Sequence, residues 1–403
     1  LISLMAILAI SLTVNLPGLA ISPIMGRLDQ VFPSASHLEI QLLSVLPNFI
    51  IIPFILWSGK LSLRVKQWVI LAVGLSIYAA AGILYLFADS MLHLILLGCL
   101  LGVGCGLVVP IAGGLIGEHF TGEARVKQLG MKSGLSNFMV IVGTMFVGMV
   151  AGRDWHYAFF IYLVPLIPLV LIPFLRGSYI QAHTVDVPAA PSTPAPTAQS
   201  SLKPAHLQPS THEVVMKLAG IIALYAIATY AIQVVSYYTP FTMQHYHLST
   251  GDVGVATAMF YLSATLAGFG LPLFIRLFGR GTNFWAIALC VLGLYGCGVL
   301  HTYWAFILFT FVMGLGYGII QPIIYDKATS LAPDAKKSTQ FFSYVLTANY
   351  VAIAMTPFIV SGLADLFNAH GVNFSFWLNG SIMAAVLVWC ALRLKSFTFT
   401  PKA

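Results

Sequence analysis

Tyrosine, amide and hydroxyl side chains recur every four residues in two apolar stretches of this chain. Residues at that spacing share one face of a helix. Their amides, hydroxyls and aromatic rings suit recognition of an uncharged or amphipathic organic molecule. The alternative is that they only form hydrogen bonds between helices. The two stripes are Tyr225, Thr229, Gln233 and Tyr237 in the first stretch and Tyr317, Gln321 and Tyr325 in the second.

The predicted substrate-binding site contains four more neutral polar residues from other apolar stretches: Asn15, Ser136, Asn137 and Tyr344. All 12 acidic residues fall in predicted loops or near predicted helix ends, and no lysine or arginine falls at the middle of a predicted helix. A carrier of phosphate, nitrate or dicarboxylates is expected to place a basic residue there, because that residue replaces the anion's hydration. The pattern therefore favours neutral or amphipathic cargo.

Asp326 is the strongest candidate for proton coupling, because it lies near the end of an apolar stretch. A carboxylate that is partly withdrawn from water there can exchange protons. The alternative is a salt bridge to Lys327 or to the neighbouring basic loop. Asp29 and Glu39, which lie near Arg27, are further candidates for a gate or proton relay, with a solvated loop as the alternative.

The composition requires these stretches to be dissolved in lipid. Hydrophobic residues make up 59% of the chain and charged residues 8%, whereas soluble proteins carry about 25% charged residues. Alternation of apolar and polar residues, the pattern of a membrane barrel, is absent. We therefore predict an all-α membrane protein with twelve transmembrane helices. The predicted spans are 1–24, 39–58, 67–88, 92–117, 128–152, 155–176, 213–241, 250–274, 283–300, 302–326, 338–362 and 373–394.

A repeated motif divides the chain into two related halves. The pattern G-x-G-x-G-x-x-x-P runs from Gly102 to Pro110 and again from Gly314 to Pro322. Internal repeats of this kind are typical of secondary transporters. The predicted organisation has an N-terminal six-helix bundle, a Pro/Ala-rich cytoplasmic linker, a C-terminal six-helix bundle and a cytoplasmic tail. These regions cover 1–176, 177–212, 213–394 and 395–403.

The basic residues predict the orientation of the chain. If both termini are cytoplasmic, only Arg27 and Arg153 of the 19 lysines and arginines lie on the outer side. This asymmetry follows the positive-inside rule. The net charge of +7 therefore reflects membrane topology, and we expect no nucleic-acid partner. We predict a multi-pass protein of the plasma (inner) membrane that functions as a monomer.

The chain resembles the major facilitator superfamily over essentially its whole length. Between the second and third spans that family carries G-x-x-x-D-R-x-G-R-R, and here Gly59 and Arg64 fit while Leu63 replaces the acidic residue. The sixth span opens with Trp155-His156-Tyr157-Ala158-Phe159, close to the family's W-R-W-x-F.

The resemblance implies two six-helix bundles around a central cavity that opens alternately to either side, lined by the first, fourth, seventh and tenth helices. It also implies that Gly59 and Arg64 help to hold a closed cytoplasmic gate. Glu118 is a candidate for the missing acidic partner at Leu63.

The sequence predicts neither an enzyme nor a cofactor. Catalytic side chains are not gathered at one depth, and nucleotide-binding fingerprints are missing. His245 and His247 lack a third nearby ligand except Asp252, so we predict no metal site. The five cysteines lie in apolar helices and are expected to serve packing.

We expect a secondary transporter that works by alternating access and exports neutral or amphipathic organic compounds, driven by protons. The alternative is proton-coupled or facilitative uptake of a small nutrient such as a sugar, nucleoside or peptide. Two departures from the family's exporters keep the alternative open. Gly98 stands where many of them carry arginine, and the fifth span contains no proline.

Overall fold

The computed structural model describes most of the chain. The described residues are 2–17, 19–21, 24, 28, 30–33, 37–150, 153–176, 211–245, 250–299, 302–369, 371 and 373–400. Nearly all of the predicted linker, at 177–210, lies outside the described residues, as does Asp29.

The described residues form helices that follow the predicted spans, and we number them accordingly. The first half contains α1 (Ile2–Ser11), α2 (His37–Leu61), α3 (Gln67–Tyr85), α4 (Met91–His119), α5 (Gly122–Val150) and α6 (Leu166–Arg176), with a 3₁₀ helix at Trp155–Leu163 before α6. The second half contains α7 (Thr211–His245), α8a (Thr250–Phe269), α8b (Leu271–Phe278), α9 (Thr282–Val299), α10 (Tyr303–Ser330), α11 (Ser338–Leu366) and α12 (Phe374–Leu392). Within the described residues, nine segments are long and apolar enough to cross a membrane, and 45–61 and 254–269 are shorter apolar helices.

Most predicted spans differ from the helices by a few residues in their bounds, and three of these differences bear on the site. The first was predicted over 1–24, but α1 ends at Ser11 and the chain continues in turns towards Pro17. The fifth begins at Gly122 rather than at residue 128. The tenth continues beyond Asp326 to Ser330. The last two differences arise because polar residues lengthen a helix beyond its apolar run without ending its hydrogen bonding.

The repeated glycines pack equivalent helices in the two halves. Gly102 and Gly106 face Pro47, Ile50 and Phe54 of α2, whereas Gly104 faces α3. In the second half, Gly314 and Gly318 face α8a, whereas Gly316 faces α9. The motif therefore lets α4 lie between α2 and α3, and α10 between α8a and α9. Since glycine has no side chain, the backbones can approach closely.

We expect Gly104→Val and Gly316→Val to destabilise their bundles. A Cβ atom at Gly104 would lie 2.7 Å from the Tyr78 backbone nitrogen, and one at Gly316 would lie 2.6 Å from Cys290 Sγ. Overpacking of this kind costs roughly 1–3 kcal/mol. Thermal unfolding in detergent measures the effect, and Gly362→Val is the matched control because nothing lies within 4 Å of its Cβ position. Equal unfolding midpoints for all three variants would contradict the packing role.

The end of the predicted cytoplasmic tail packs on the C-terminal bundle. The Lys327 ammonium donates a hydrogen bond to the Phe397 carbonyl oxygen, and the rings of Phe399 and Trp389 lie edge to face at 5.0 Å. Phe399 is buried. Residues 396–399 therefore belong to the folded bundle rather than to a free tail.

We call the face of the molecule at which α6 ends and α7 begins the linker side. Because successive helices alternate in direction, α2, α4, α8a and α10 end on this side and α5 and α11 begin there. The site described next lies between the two bundles, within reach of these helix ends.

Candidate transport site

A small polar cavity of about 20 Å³ lies between the two bundles. Its lining from α5 and the turn after α1 is Val14, Asn15, Lys132, Ser133 and Ser136, and its lining from α10 and α11 is Gln321, Tyr325, Leu346, Asn349 and Tyr350. A space of this size holds about one water molecule. Hydroxyls, amides and one ammonium therefore meet where the two bundles meet.

Lys132 is the charged group of this cavity. It is 1% exposed and lies ten residues into α5, about 15 Å along the helix axis. Its ammonium lies over the rings of Tyr325 and Phe342, 5.1 and 5.4 Å from their centroids. Both rings belong to the opposite bundle, so Lys132 bridges the two halves.

No lysine or arginine falls at the middle of a predicted helix, yet Lys132 lines the cavity. We began the fifth span at residue 128, which placed Lys132 near its start, but α5 begins at Gly122. The spacing of polar residues before the apolar run is the sequence signal that points to the site. Arg125, Lys132 and Ser136 then recur at intervals of seven and four residues and share one face.

The two predicted stripes meet in a hydroxyl network inside the C-terminal bundle. The hydroxyls of Tyr225 and Tyr325 lie 2.7 Å apart, and Gln321 Nε2 donates to the Tyr225 oxygen at 3.1 Å. One turn further along α7, Thr229 Oγ1 donates to Asn349 Oδ1 at 2.9 Å. The network fixes Gln321, Tyr325 and Asn349 against the cavity.

Four predicted substrate-site residues line the cavity and seven do not. Asn15, Ser136, Gln321 and Tyr325 are in its lining. The residues outside the lining are Asn137, Tyr225, Thr229, Gln233, Tyr237, Tyr317 and Tyr344. Among these, Tyr225 and Thr229 support the lining from behind, whereas the Tyr344 hydroxyl accepts a hydrogen bond from Gln340 of its own helix at 2.8 Å.

Glycines of α2 and α4 form a tight contact with α10 and α11, which we call the linker-side seal. Gly59 touches Ser343, Gly113 touches the ring of Phe342, and Gly114 touches Thr339. Gly117 completes the seal, since its Cβ position would lie 2.7 Å from Thr329 Cβ. All of these residues lie near the linker-side ends of their helices. The seal therefore closes the space between the bundles on that side.

Asp326 pairs with Arg125 across the same boundary. Arg125 Nε lies 2.6 Å from Asp326 Oδ1, and both side chains are nearly buried. The alternative of a salt bridge from Asp326 to Lys327 or to the neighbouring basic loop is therefore replaced by a salt bridge to Arg125, while Lys327 donates to the tail. Arg125 belongs to the basic segment that we predicted as a loop and that forms the first turns of α5.

The other predicted gate residues have different positions. Gly59 lies in the seal. Arg64 is exposed and has no ion pair among the described residues, whereas Glu118 accepts a hydrogen bond from Gln67 of its own bundle at 2.8 Å. Leu63 borders an open surface depression of about 640 Å³. Glu39 is exposed at the start of α2.

Within the part of the chain that the structure describes, no three His, Cys, Asp or Glu side chains could hold a metal ion together. His247 lies outside that part. The described cysteines are free thiols.

The apolar helices define a multi-pass membrane protein, with a polar cavity between its two bundles. A model of the Major Facilitator Superfamily matches residues 1–283 and, in a second match, residues 221–401. The protein therefore belongs to the Major Facilitator Superfamily, a family of transporters rather than of enzymes, and has its fold of two pseudo-symmetric six-helix bundles.

Three relatives in sequence are named as transporters or as a drug-resistance protein. The multidrug transporter protein MdtP of Bacillus subtilis is 31% identical over 121 residues, which are 30% of this chain and 22% of MdtP. The quinolone resistance protein NorA of Staphylococcus aureus is 21% identical over 325 residues, 80% of this chain and 79% of NorA. An MFS-type transporter of Enterobacter is matched over 44% of its length. The chain thus spans less than half of the MdtP and Enterobacter proteins.

Solved structures share the fold at low sequence identity. The proton:xylose symporter XylE superposes with a TM-score of 0.74 at 14% identity, covering 97% of this chain and 95% of XylE. The human organic anion transporter MFSD10 superposes with a TM-score of 0.71 at 13% identity, covering 96% of this chain and 97% of MFSD10.

Proposed function

We propose that this protein exports amphipathic organic compounds by alternating access, in exchange for protons. The observation that carries the proposal is the polar, aromatic-bordered cavity between the bundles, which is sealed on the linker side. The named activities of MdtP and NorA, multidrug transport and quinolone resistance, support efflux. We do not propose a neutral cargo. The expectation of a neutral cargo required a cavity without a fixed charge, but Lys132 lines the cavity.

In this proposal the linker side and both termini face the cytoplasm at the plasma membrane, an orientation that the positive-inside rule favours. The conformation with the linker-side seal closed is then closed to the cytoplasm. Opening the seal would give the cavity access to the cytoplasm, where an exporter takes up its cargo.

Asp326 is the proposed proton-coupling residue. Its carboxylate pairs with Arg125 across the seal, and protonation would remove the charge that holds the pair. A proton that reaches Asp326 from outside would therefore favour opening towards the cytoplasm, and loss of the proton would favour closing. This sequence moves protons inwards while cargo moves outwards.

Proteoliposome flux tests the direction of coupling. The probes are pyrenesulfonate, pyrenesulfonamide and ethidium, with valinomycin and equal potassium holding the membrane potential at zero. We expect at least one probe to accumulate on the acidic side, whichever way the protein is inserted. Asp326→Asn should lose this gradient-driven accumulation, whereas Lys217→Gln, which removes an exposed pair with Glu213, should keep it.

Two results would contradict the proposal. Accumulation on the alkaline side would instead indicate proton symport, the nutrient-uptake alternative. Equal accumulation by wild type and Asp326→Asn would remove Asp326 from the coupling mechanism.

A further inference from the structure

Lys132 is a buried cation without a carboxylate partner among the described residues. An unpaired charge in a membrane protein is costly and is usually retained for function. The rings of Tyr325 and Phe342 stabilise its ammonium through their faces, but such contacts contribute only about 0.5–2 kcal/mol. The site therefore has unused capacity to bind a negative charge.

A second group in the same cavity also lacks a partner. Ser133 is 1% exposed and lines the cavity, and its Oγ has no hydrogen-bond partner among the described residues. Buried hydroxyls normally form hydrogen bonds. An unpartnered hydroxyl in the lining of a cavity that also contains an unpaired ammonium is suited to donate to an anionic oxygen of a ligand.

We propose that Lys132 and Ser133 bind the anionic group of the cargo, which makes the cargo an amphipathic organic monoanion carrying one carboxylate or sulfonate. The inference rests on the proposed transport of amphipathic compounds and names their class. Lys132 supplies the charge, and Ser133 donates a hydrogen bond to the same group.

The surroundings limit the charge of what binds. Among the described residues that line the cavity, Lys132 is the one cation. Arg125 lies outside this lining and is paired with Asp326. The second charge of a dianion would remain unpaired in this buried site, which is costly, so the site favours one negative charge over two. The cavity of about 20 Å³ holds about one water molecule, so the anionic group and the apolar body of the cargo would both occupy space that opens when the bundles separate. Tyr325 and Tyr350 border that position and offer aromatic surface.

Equilibrium binding in detergent tests the proposal with two probes that share one apolar body. Pyrenesulfonate is permanently anionic, and pyrenesulfonamide is its neutral analogue. We expect wild type to bind the sulfonate at least about tenfold more tightly, and Lys132→Met to abolish that preference, since a hydrogen bond to a charged group has about this effect on affinity. Lys132→Arg keeps the charge and should retain the preference.

Two further variants complete the experiment. Lys66→Met removes an exposed lysine on the linker side and should leave sulfonate binding unchanged. Ser133→Ala should weaken sulfonate binding several-fold without altering sulfonamide binding. If Lys132→Met does not fold, the anion site is still tested by sulfonate binding to Ser133→Ala and by the preference of the wild type for the sulfonate over the sulfonamide.

Equal affinity of wild type for both probes, or full sulfonate affinity in Lys132→Met, would overturn the anion site. Transport of the sulfonamide or ethidium without transport of the sulfonate would also overturn the anion site, but it would not contradict proton-driven export. Conversely, tight Lys132-dependent sulfonate binding without gradient-driven accumulation would support the site and contradict the export mechanism.

Discussion

Replacing Gly114 with valine should reduce transport to background, at least tenfold below wild type. A Cβ atom at this position would lie 2.6 Å from the Thr339 Cα atom, which is backbone and cannot rotate away. Overpacking costs roughly 1–3 kcal/mol, and about 1.4 kcal/mol shifts an equilibrium tenfold. Since the clash exists only when the linker-side seal is closed, the bundles should remain open on that side.

Two measurements and a control separate this effect from misfolding. Flux into proteoliposomes reports transport, and maleimide labelling of Ser338→Cys reports closure, because Ser338 is buried in the closed seal. Labelling is compared with the protein that carries only its native cysteines. Gly362→Val, in the same helix as Thr339, meets nothing within 4 Å and should behave like wild type. Transport by Gly114→Val at the rate of this control would show that the seal does not need to close.

Breaking the Arg125–Asp326 pair should also open the linker side, and exchanging the two charges should close it again. Removing one partner of a buried ion pair costs about 3–5 kcal/mol, which is large enough to invert the populations of two conformations. We expect Arg125→Asp and Asp326→Arg each to increase labelling of Ser338→Cys strongly. The variant that carries both changes should label like the parent, because the pair is restored with its polarity reversed.

The matched control for the ion pair is Lys217→Gln. Lys217 and Glu213 form a salt bridge of 2.5 Å on the same side of the molecule, but it is solvent-exposed and contributes at most about 1 kcal/mol. Its removal should not change labelling. If the double exchange labels like the single variants, the two residues serve the seal separately rather than as a pair.

The outline of the fold could be predicted from the sequence because lipid imposes a strict length and polarity on each span. The repeat of G-x-G-x-G-x-x-x-P predicted the two halves, and the contacts of Gly104 with α3 and Gly316 with α9 show why the spacing recurs. The polar stripe on α10 was also informative, because helical spacing alone puts Gln321 and Tyr325 on one face of the helix. Both residues line the cavity.

The pairing of residues across the two bundles could not be predicted. Arg125 and Asp326 are 201 residues apart in sequence, and no local pattern specifies which of many basic residues an acidic one will meet. The same holds for Gly114 and Thr339, whose contact depends on how two separate bundles dock.

Lys132 shows what the sequence determines by itself and what depends on the tertiary structure. Hydropathy determined that a fifth span exists, because a long apolar run must be dissolved in lipid. Only the tertiary structure decided that the polar segment before this run continues the helix. In the folded protein the charged side chains of this segment are removed from water, because Arg125 lies against Asp326 and Lys132 lies over the Tyr325 ring of the other bundle. A charge that is unfavourable for a single helix in lipid becomes acceptable once a second bundle covers it.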